Sequence, residues 1–231
     1  MALSLAMAAA GVDGGLAGTA VASTSSHFCS AEKQFRYPLE YGSQRAPASQ
    51  RTVTGSGAFI IGKSRRPDII IPRVQFGIIT DAGMNDTSNM GAAMAPAAAD
   101  TLVRFFRESN TVPADYDLIV TGDLGYEGGD ILCELMALEG VDISPVYNDC
   151  GMMIYDRKTQ DTHAGGSGCG CSAAVLACHL LPRIERGELK RILLLGTGAM
   201  MSPQSIQQGE YIPAVAHLVC LAGKEDEWTL S

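Results

Sequence analysis

The sequence predicts an α/β protein in which a parallel or mixed sheet is covered by helices. Short apolar segments typical of buried strands alternate along the chain with longer segments typical of helices. Loops rich in glycine and small polar residues follow several of the strands, and apolar residues make up 46% of the 231-residue chain. A chain of this size can bury one large core or two smaller ones.

The first part of the chain is predicted to contain a helix and two strands. Residues 1–10 are helix formers and end at the glycine-rich segment 11–15, which is a good helix stop. Residues 16–23 are predicted to be a short buried strand, and residues 24–27 the polar loop that leaves it. Residues 52–62 alternate small and apolar side chains as a strand does.

The rest of the chain is predicted to alternate strands with helices. The strands are placed at residues 68–77, 117–121, 191–195 and 214–221, and the helices at residues 96–108, 130–138 and 172–185. Pro96 falls in the first turn of its helix, where proline is tolerated, and Pro182 is expected to kink or break the last helix. Residues 28–50 are predicted to be an ordered surface excursion because they contain several aromatic side chains.

Composition and charge exclude several classes of protein. The formal net charge of -8 argues against a nucleic-acid partner, because phosphate binding needs clustered Lys and Arg. No apolar run approaches the roughly 20 residues that cross a bilayer. The first Lys or Arg is Lys33, so the apolar start lacks the basic region of a signal peptide. The seven cysteines are predicted to be reduced thiols, with Cys29, Cys133, Cys178 and Cys220 as small core residues.

The segment 165–171, GGSGCGC, is predicted to line a small-molecule crevice where a strand ends and a helix begins. Glycine at four of its seven positions lets a ligand approach the backbone, and the following helix start offers N–H groups to an anion. A tight turn between a packed strand and helix needs the same residues, so both readings stay open. Cys169 and Cys171 lack a second Cys or His pair at zinc spacing, so no metal is predicted. A cysteine here could be a nucleophile only with a base nearby.

Three further residues follow predicted strands as Ser167 does. His27 lies in the loop after the first strand, Asp123 after the strand at 117–121, and Thr197 after the strand at 191–195. Open α/β sheets bind ligands at the carboxyl ends of their strands. We therefore expect these loops to converge on one crevice.

The order of these segments resembles the thiolase and ketoacyl-synthase superfamily. TGSGAFII at 54–61 is similar to a strand of its first half, GSGCGCS at 166–172 to the glycine turn of its second half, and GTG at 196–198 to its final glycine-rich strand end. Within the superfamily, the chain most closely resembles the stage V sporulation protein AD family. The segments that carry this resemblance are TSSH at 24–27, QFRYP at 34–38, EYG at 40–42, TVTGSGA at 52–58, MAPAAADT at 94–101, TGDL at 121–124, DCG at 149–151 and AGGSGC at 164–169.

The resemblance implies a thiolase-like layered αβαβα architecture whose N-terminal half is truncated. Residues 1–65 would be the remainder of that half, and residues 66–231 the C-terminal half. Superfamily enzymes carry a nucleophilic cysteine on the first helix, at a position that would precede residue 1 here. Their His or Asn positions correspond here to residues 122–123 and Ser167. The resemblance therefore implies a protein that is not an enzyme and has no catalytic residues, metal or cofactor.

The function that the resemblance implies is binding of dipicolinic acid, or of its calcium chelate, in a spore membrane channel complex. The protein would act in uptake during sporulation and in release during germination. The expected ligand-binding residues are His27, Asp123, Ser167, Gly168, Cys169 and Thr197. Backbone N–H groups and the hydroxyls of Ser167 and Thr197 are expected to donate to the two carboxylates.

The same resemblance implies partners and a location. The partners would be membrane subunits of the channel complex and, for a full-length chain, a second copy in a homodimer. The protein would lie in the developing spore, peripherally on the inner membrane, without a transmembrane segment of its own. Loss of strands beside residues 16–23 would leave an exposed edge, so poor solubility or loss of dimerisation is expected.

Two alternatives remain open at this point. One is an acyl-transferring enzyme whose nucleophilic cysteine lies upstream of Met1, with His27 as its base. The other is a structural partner of the membrane subunits that binds no ligand.

Overall fold

The computed structural model describes residues 1–28, 46–64 and 68–224. Its strands are β1 Thr19–Ser26, β2 Arg51–Thr52, β3 Gly55–Gly62, β4 Ile69–Gln75, β5 Leu118–Thr121, β6 Tyr147–Asp149, β7 Gly166–Ser167, β8 Arg191–Ala199 and β9 Ala214–Gly223. Its α-helices are α1 Ala2–Asp13, α2 Met90–Ser109, α3 Gly125–Leu138, α4 Cys150–Ile154, α5 Cys169–Val175, α6 Leu181–Glu185 and α7 Pro203–Gln207. A π-helical turn, Leu176–Leu180, joins α5 to α6.

A mixed sheet of five strands forms the centre of the described residues. Its order is β4-β9-β8-β5-β6, with β5 parallel to β6 and β8, and β9 antiparallel to β8 and β4. Ile192 and Leu194 face one core cluster, whereas Leu193 and Leu195 face the other. Burial of both faces explains the continuous apolar run of β8. The predicted α/β class, with a mixed sheet between helices, is confirmed.

Helix α1 lies between this sheet and a smaller antiparallel sheet formed by β1 and β3. Ala2, Leu5 and Ala6 are buried in a core cluster that also contains Ala22 of β1 and Val219 of β9. Helix α5 lies in the same layer and also packs against β1 and β3. A helix between two sheets needs apolar side chains on most of its surface. This position explains why the first helix is rich in Ala, Leu and Met.

Helices α2 and α3 cover the opposite face of the five-stranded sheet. Leu102 of α2 and Leu132 of α3 are fully buried in the second core cluster. The two helices meet at glycines: a side chain at Gly91 would lie 2.6 Å from the Leu124 carbonyl oxygen, and one at Gly128 would lie 2.7 Å from Gly91 Cα. Close helix packing therefore requires glycine at both positions. Within the described residues, we find no helix long and apolar enough to cross a membrane.

Several helices begin earlier than the sequence predicts. Helix α2 starts after Asn89, whose side chain accepts a hydrogen bond from the Ala92 N–H at 3.0 Å. Pro96 consequently lies inside the helix, and its predicted place in the first turn is wrong. Helices α3 and α5 begin at Gly125 and Cys169, where residues 122–129 and 165–171 were expected to be loops. The chain passes without interruption from the π-helical turn into α6, so the break expected at Pro182 is wrong, and a kink there stays a prediction.

The strand boundaries also differ from the predictions. A strand is present as predicted, but β1 lies at Thr19–Ser26 rather than 16–23, and it is exposed at alternate positions rather than buried. Its pairing with all of β3 carries the strand through residues 24–26, which were expected to be a loop. Strand β8 continues to Ala199 because β9 pairs with it throughout, so residues 196–198 lie within a strand. The division of the chain at residue 65 stays a prediction.

The predicted core cysteines have different environments. Cys220 is fully buried as expected, and Cys133 is only partly buried. Cys178 is exposed on the π-helical turn, so its predicted place in the core is wrong. Cys29 and most of the predicted surface excursion at 28–50 lie outside the described residues.

These differences predict a pattern of thiol reactivity. We expect iodoacetamide to alkylate Cys169 and Cys178 in the native protein and to leave Cys150, Cys171 and Cys220 unmodified. The first two thiols are exposed and the last three are fully buried, and buried thiols are inert. Peptide mass spectrometry measures each rate, with the protein unfolded in guanidinium as the control for full labelling. Native labelling of Cys171 as fast as Cys169 would contradict the packing of α5.

Candidate functional site

The carboxylate of Asp123 is the centre of the candidate site. Its Oδ2 accepts hydrogen bonds from the Gly168 N–H at 2.9 Å and the Ser167 hydroxyl at 3.3 Å, and its Oδ1 accepts one from the Thr197 hydroxyl at 3.0 Å. Asp123 follows β5, Ser167 ends β7, and Thr197 lies near the end of β8. The sequence-predicted residues Asp123, Ser167, Gly168 and Thr197 therefore lie in direct contact with one another.

This geometry changes the expected roles of the two hydroxyls. Ser167 is fully buried, while Asp123 and Thr197 are half-buried. Both hydroxyl protons and the Gly168 N–H already point at the Asp123 carboxylate. In this arrangement they are not available as donors to a ligand. The side chains of the network that keep some exposure are Asp123 and Thr197, and a negative carboxylate attracts cations rather than bare anions.

A second carboxylate, Asp149, holds the loop that carries Asp123. Asp149 is fully buried at the end of β6 and precedes α4. It accepts hydrogen bonds from the Thr121 hydroxyl at 2.7 Å and from the backbone N–H groups of Leu124 at 2.9 Å, Gly125 at 3.1 Å, Gly151 at 2.8 Å and Met152 at 3.2 Å. Asp149 thereby satisfies the starts of both α3 and α4.

Burial is the largest influence on the protonation of Asp149. It raises the pKa of this carboxyl group to about 6, and the negative Asp123 adds to the rise. The hydrogen bonds from Thr121, Leu124 and Gly125 oppose the rise because they stabilise the charged form. Asp149 thus holds the loop that carries Asp123, and both of its carboxylate oxygens already accept hydrogen bonds from the protein.

Gln50 is a site residue that the sequence analysis missed. Its side-chain Nε2 donates to the backbone carbonyl of Asp123 at 2.7 Å, and the residue is only 4% exposed. Gln50 precedes β2, which runs parallel to β7 and so stands beside the glycine-rich segment. No local pattern marks a lone glutamine next to a short strand, and only the tertiary contact reveals it.

Strand β1 reaches the same region through Ser26. The Ser26 hydroxyl donates to the Val53 carbonyl at 2.6 Å and accepts from the Gly170 N–H at 2.9 Å. A side chain at Gly170 would collide with the Gly55 carbonyl oxygen. His27 follows Ser26 directly and is exposed, and its ring has no hydrogen-bond partner among the described residues. His27 is therefore beside the glycine turn but not part of the Asp123 network.

The thiols near the site differ in exposure. Cys169 is exposed at the start of α5, whereas Cys171 and Cys150 are fully buried. Burial raises the pKa of both buried thiols well above the ordinary range, and neighbouring negative groups add to this effect. None of the hydrogen bonds among the described residues joins a thiol to an imidazole. The same part of the chain holds no group of three His, Cys, Asp or Glu side chains suited to a metal.

The amino end of α1 forms another wall of the site. Ala2 packs on Gly196 of β8, where an added Cβ would lie 3.1 Å from Ala2 Cβ. The amino end of α1 therefore packs on β8 at the residue before Thr197.

Comparison with known proteins identifies the family of this chain. The profile of the family described as Stage V sporulation protein AD matches residues 1–222. The chain belongs to this family. It is 46% identical over 213 residues to the stage V sporulation protein AD of Bacillus subtilis (strain 168), covering 92% of this chain and 62% of the relative. The chain thus spans less than two thirds of the length of that family member.

Solved structures show the same fold at low sequence identity. A tetronic acid condensing enzyme, AbyA1, matches with a TM-score of 0.59 and 16% identity over 96% of this chain and 65% of its own. The 3-oxoacyl-[acyl-carrier-protein] synthase III of Aquifex aeolicus VF5 matches with a TM-score of 0.55 and 10% identity, covering 95% and 63% of the two chains. These likenesses confirm the thiolase-like layered fold, and at such identity they show the fold alone.

The Asp123 network leads to a prediction about stability. We expect Asp123→Asn to change the free energy of unfolding by less than about 1 kcal/mol. The asparagine oxygen can accept from Gly168 while its amide donates to Thr197. Asp123→Ala leaves the Gly168 N–H without its acceptor and should cost about 1–2 kcal/mol. Urea unfolding of the two variants measures both values, and an equal loss in both would show that charge, rather than hydrogen bonding, holds the network.

Proposed function

We propose that this sporulation-family protein is a non-enzymatic binding component for dipicolinic acid, carried as its calcium chelate, in a spore membrane channel complex. The observation that carries the proposal is the Asp123 network. Asp123 and Ser167 occupy the positions at which the resemblance places the His or Asn of the superfamily enzymes. A carboxylate and hydroxyl oxygens at these positions suit ligand binding rather than proton abstraction from a substrate.

The charge of the crevice favours the calcium chelate over the free dianion. Asp123 presents a negative charge, and Asp123 and Thr197 are the half-buried oxygen-bearing side chains of the network. Calcium binds carboxylate and hydroxyl oxygens readily and keeps free coordination positions when it is chelated by a small ligand. A bare dicarboxylate would instead be repelled by Asp123.

The thiols of the described residues also support a binding role. Cys150 and Cys171 are buried with raised pKa values, and the exposed Cys169 has no imidazole hydrogen-bonded to it. A thiol without a base is a weak nucleophile at neutral pH. Incubation with acyl-coenzyme A followed by mass spectrometry tests the alternative of acyl transfer. A stable acyl adduct on Cys169 would replace the binding proposal with an enzymatic one.

Calorimetry tests the binding proposal directly. We expect dipicolinate with calcium to give saturable heat with one site per chain, and dipicolinate with a calcium chelator to bind more weakly. Benzene-1,3-dicarboxylate, which lacks the ring nitrogen that helps to hold calcium, is the matched control and should give no heat. Absence of heat at millimolar dipicolinate with calcium would overturn the proposal.

Docking to the membrane subunits is a separate part of the proposal. In this part, the chain attaches to the channel complex through contacts with its membrane subunits. Co-purification with the membrane subunits expressed together tests this part. Recovery of this chain without the membrane subunits, at both low and high salt, would contradict this part of the proposal.

A further inference from the structure

The loops at the start of β9 expose large apolar side chains. Ile79 is 78% exposed, Met200 75% and Tyr211 53%. Single exposed apolar side chains are common on protein surfaces, whereas a contiguous group of them marks an interaction site. The positions of these three residues relative to one another therefore decide whether they form such a site.

Strand pairing fixes the position of Ile79 beside β9. The Thr80 N–H donates to the Ala214 carbonyl at 2.8 Å, and the Ala214 N–H donates to the Thr80 carbonyl at 2.9 Å. This antiparallel pair places Ile79 opposite Val215. Residues opposite each other in an antiparallel pair point to the same face of the sheet. Ile79 and Val215 therefore share a face.

Met200 lies on the same face from the other side of β9. Its N–H donates to the Pro213 carbonyl at 2.8 Å, which places Met200 opposite Pro213. Pro213 and Val215 share a face because alternate residues of a strand do, and the burial of residues 211–215 alternates in the same way, with Tyr211 exposed. From the spacing of strands, the Cα atoms of Ile79 and Met200 are about 12 Å apart. Ile79, Met200 and Tyr211 thus form one surface, the β9 patch.

The charged side chains in the loops of the β9 patch are acidic. Asp81 follows Ile79 by two residues, Asp86 lies further along the same loop, and Glu210 precedes Tyr211; all three carboxylates are exposed. None of the ion pairs among the described residues includes them. Neither Lys nor Arg occurs at positions 74–103 or 192–223 of the sequence. The β9 patch therefore has an apolar centre and a negative border.

This combination of apolar and acidic side chains disfavours two kinds of occupant. An anionic membrane surface attracts Lys and Arg, and it would repel the three carboxylates. A second copy of the chain, related by two-fold symmetry, would bring the same acidic border against itself. A protein surface with an apolar centre and a border of Lys and Arg fits the β9 patch without either conflict.

We infer that the β9 patch is the surface through which this protein docks on basic loops of the membrane subunits. This inference rests on the docking part of the proposed function. Short cytoplasmic loops of membrane proteins carry an excess of Lys and Arg, which complements the acidic border. Met200 follows Thr197 by three residues and points to the opposite face of the sheet. Docking and the Asp123 network therefore use different surfaces of the molecule.

Replacing the exposed apolar side chains tests the centre of the patch. We expect Ile79→Ser combined with Met200→Ser to weaken binding to the membrane subunits about tenfold, because a few central apolar residues carry most of the binding energy. Ile60→Ser is the matched control, since Ile60 is 79% exposed on the separate sheet of β1 and β3, and this variant should bind like wild type. Melting temperatures within about 2 °C of wild type show that the variants are folded.

Biolayer interferometry measures the dissociation constants. The membrane subunits are held in nanodiscs of phosphatidylethanolamine and phosphatidylglycerol, and nanodiscs of the same lipids without protein are the blank.

Removing charge tests the border of the patch. We expect Asp81→Asn combined with Glu210→Gln to slow association with the same nanodiscs at least about threefold at low salt, with a smaller change in dissociation, because charges at the edge of an interface mainly set the rate of encounter. Asp142→Asn removes an exposed carboxylate elsewhere on the molecule and should leave the association rate unchanged.

The outcomes separate this inference from the proposed function. If wild type binds the subunits and the Ile79 and Met200 double variant binds equally well, or Ile60→Ser loses as much affinity, docking uses another surface and only this inference fails. Equal binding of wild type to the blank nanodiscs would assign the patch to lipid. A dimer in sedimentation velocity that the double variant abolishes would assign it to a second copy. If wild type does not bind the subunits, the docking part of the proposed function fails together with this inference.

Discussion

Replacing Asp149 by alanine is expected to lower the free energy of unfolding by about 4 kcal/mol. The carboxylate is fully buried and accepts four backbone N–H groups and the Thr121 hydroxyl. Alanine leaves these donors without acceptors at the starts of α3 and α4. Each buried donor that loses its partner costs about 1–3 kcal/mol, and water entering the small space offsets part of the sum.

The chemically closer variant Asp149→Asn should cost about 2 kcal/mol. The asparagine oxygen can accept hydrogen bonds from the donors on one side of the original carboxylate. The amide nitrogen on the other side then faces the Leu124 N–H, which is also a donor. Asp142→Asn is the matched surface control, because Asp142 is exposed and bonds only Ser144. Urea unfolding at pH 7.5 measures all three variants. A loss below about 1 kcal/mol for Asp149→Ala would show that water satisfies the helix starts and that Asp149 does not hold the site.

Gly125→Ala is expected to lower the free energy of unfolding by about 3 kcal/mol or more. Gly125 has a φ of 69°, which strains any residue with a Cβ, and an added Cβ would collide with the Ala164 carbonyl oxygen. The same Cβ would lie 2.9 Å from Gln50 Nε2, the group that holds the Asp123 carbonyl. The substitution should therefore also displace Asp123 and weaken ligand binding.

Gly140→Ala separates backbone strain from collision. Gly140 has a φ of 77°, but nothing lies within 4 Å of an added Cβ. This variant should lose only about 1 kcal/mol. Urea unfolding measures the loss in the free energy of unfolding for each variant. The difference between the two losses is the cost of the collision between a side chain at residue 125, at the start of α3, and the Ala164 carbonyl oxygen, which precedes β7. Equal losses at the two positions would contradict the close approach of Ala164 to Gly125.

The centre of the site could be predicted from the sequence because it follows a general property of α/β sheets. Asp123, Ser167 and Thr197 each come at or near the end of a strand, and such ends meet at one edge of the sheet. That the hydroxyl groups of Ser167 and Thr197 donate to Asp123 could not be predicted, because this depends on where each hydroxyl lies relative to the carboxylate in the folded chain. His27 follows Ser26 beside the glycine turn and is not part of the Asp123 network, and its role in ligand binding stays a prediction.

The supporting residues could be predicted less well. Asp149 carries a recognisable signal, since an aspartate followed by a short helix is a common N-cap, but its contacts with Leu124 and Gly125 depend on the pairing of β5 with β6. Gln50 carries no local signal.

The most direct test of the site is the protection of Cys169 by the ligand. Cys169 is exposed at the start of α5 beside Gly168, and Cys178 is exposed on the π-helical turn that follows the same helix. The rates of iodoacetamide alkylation of both thiols are measured by peptide mass spectrometry with and without saturating calcium dipicolinate. We expect the rate at Cys169 to fall at least about tenfold while the rate at Cys178 stays unchanged. An unchanged rate at Cys169, under conditions where calorimetry shows saturation, would place the ligand elsewhere and contradict the assignment of the site.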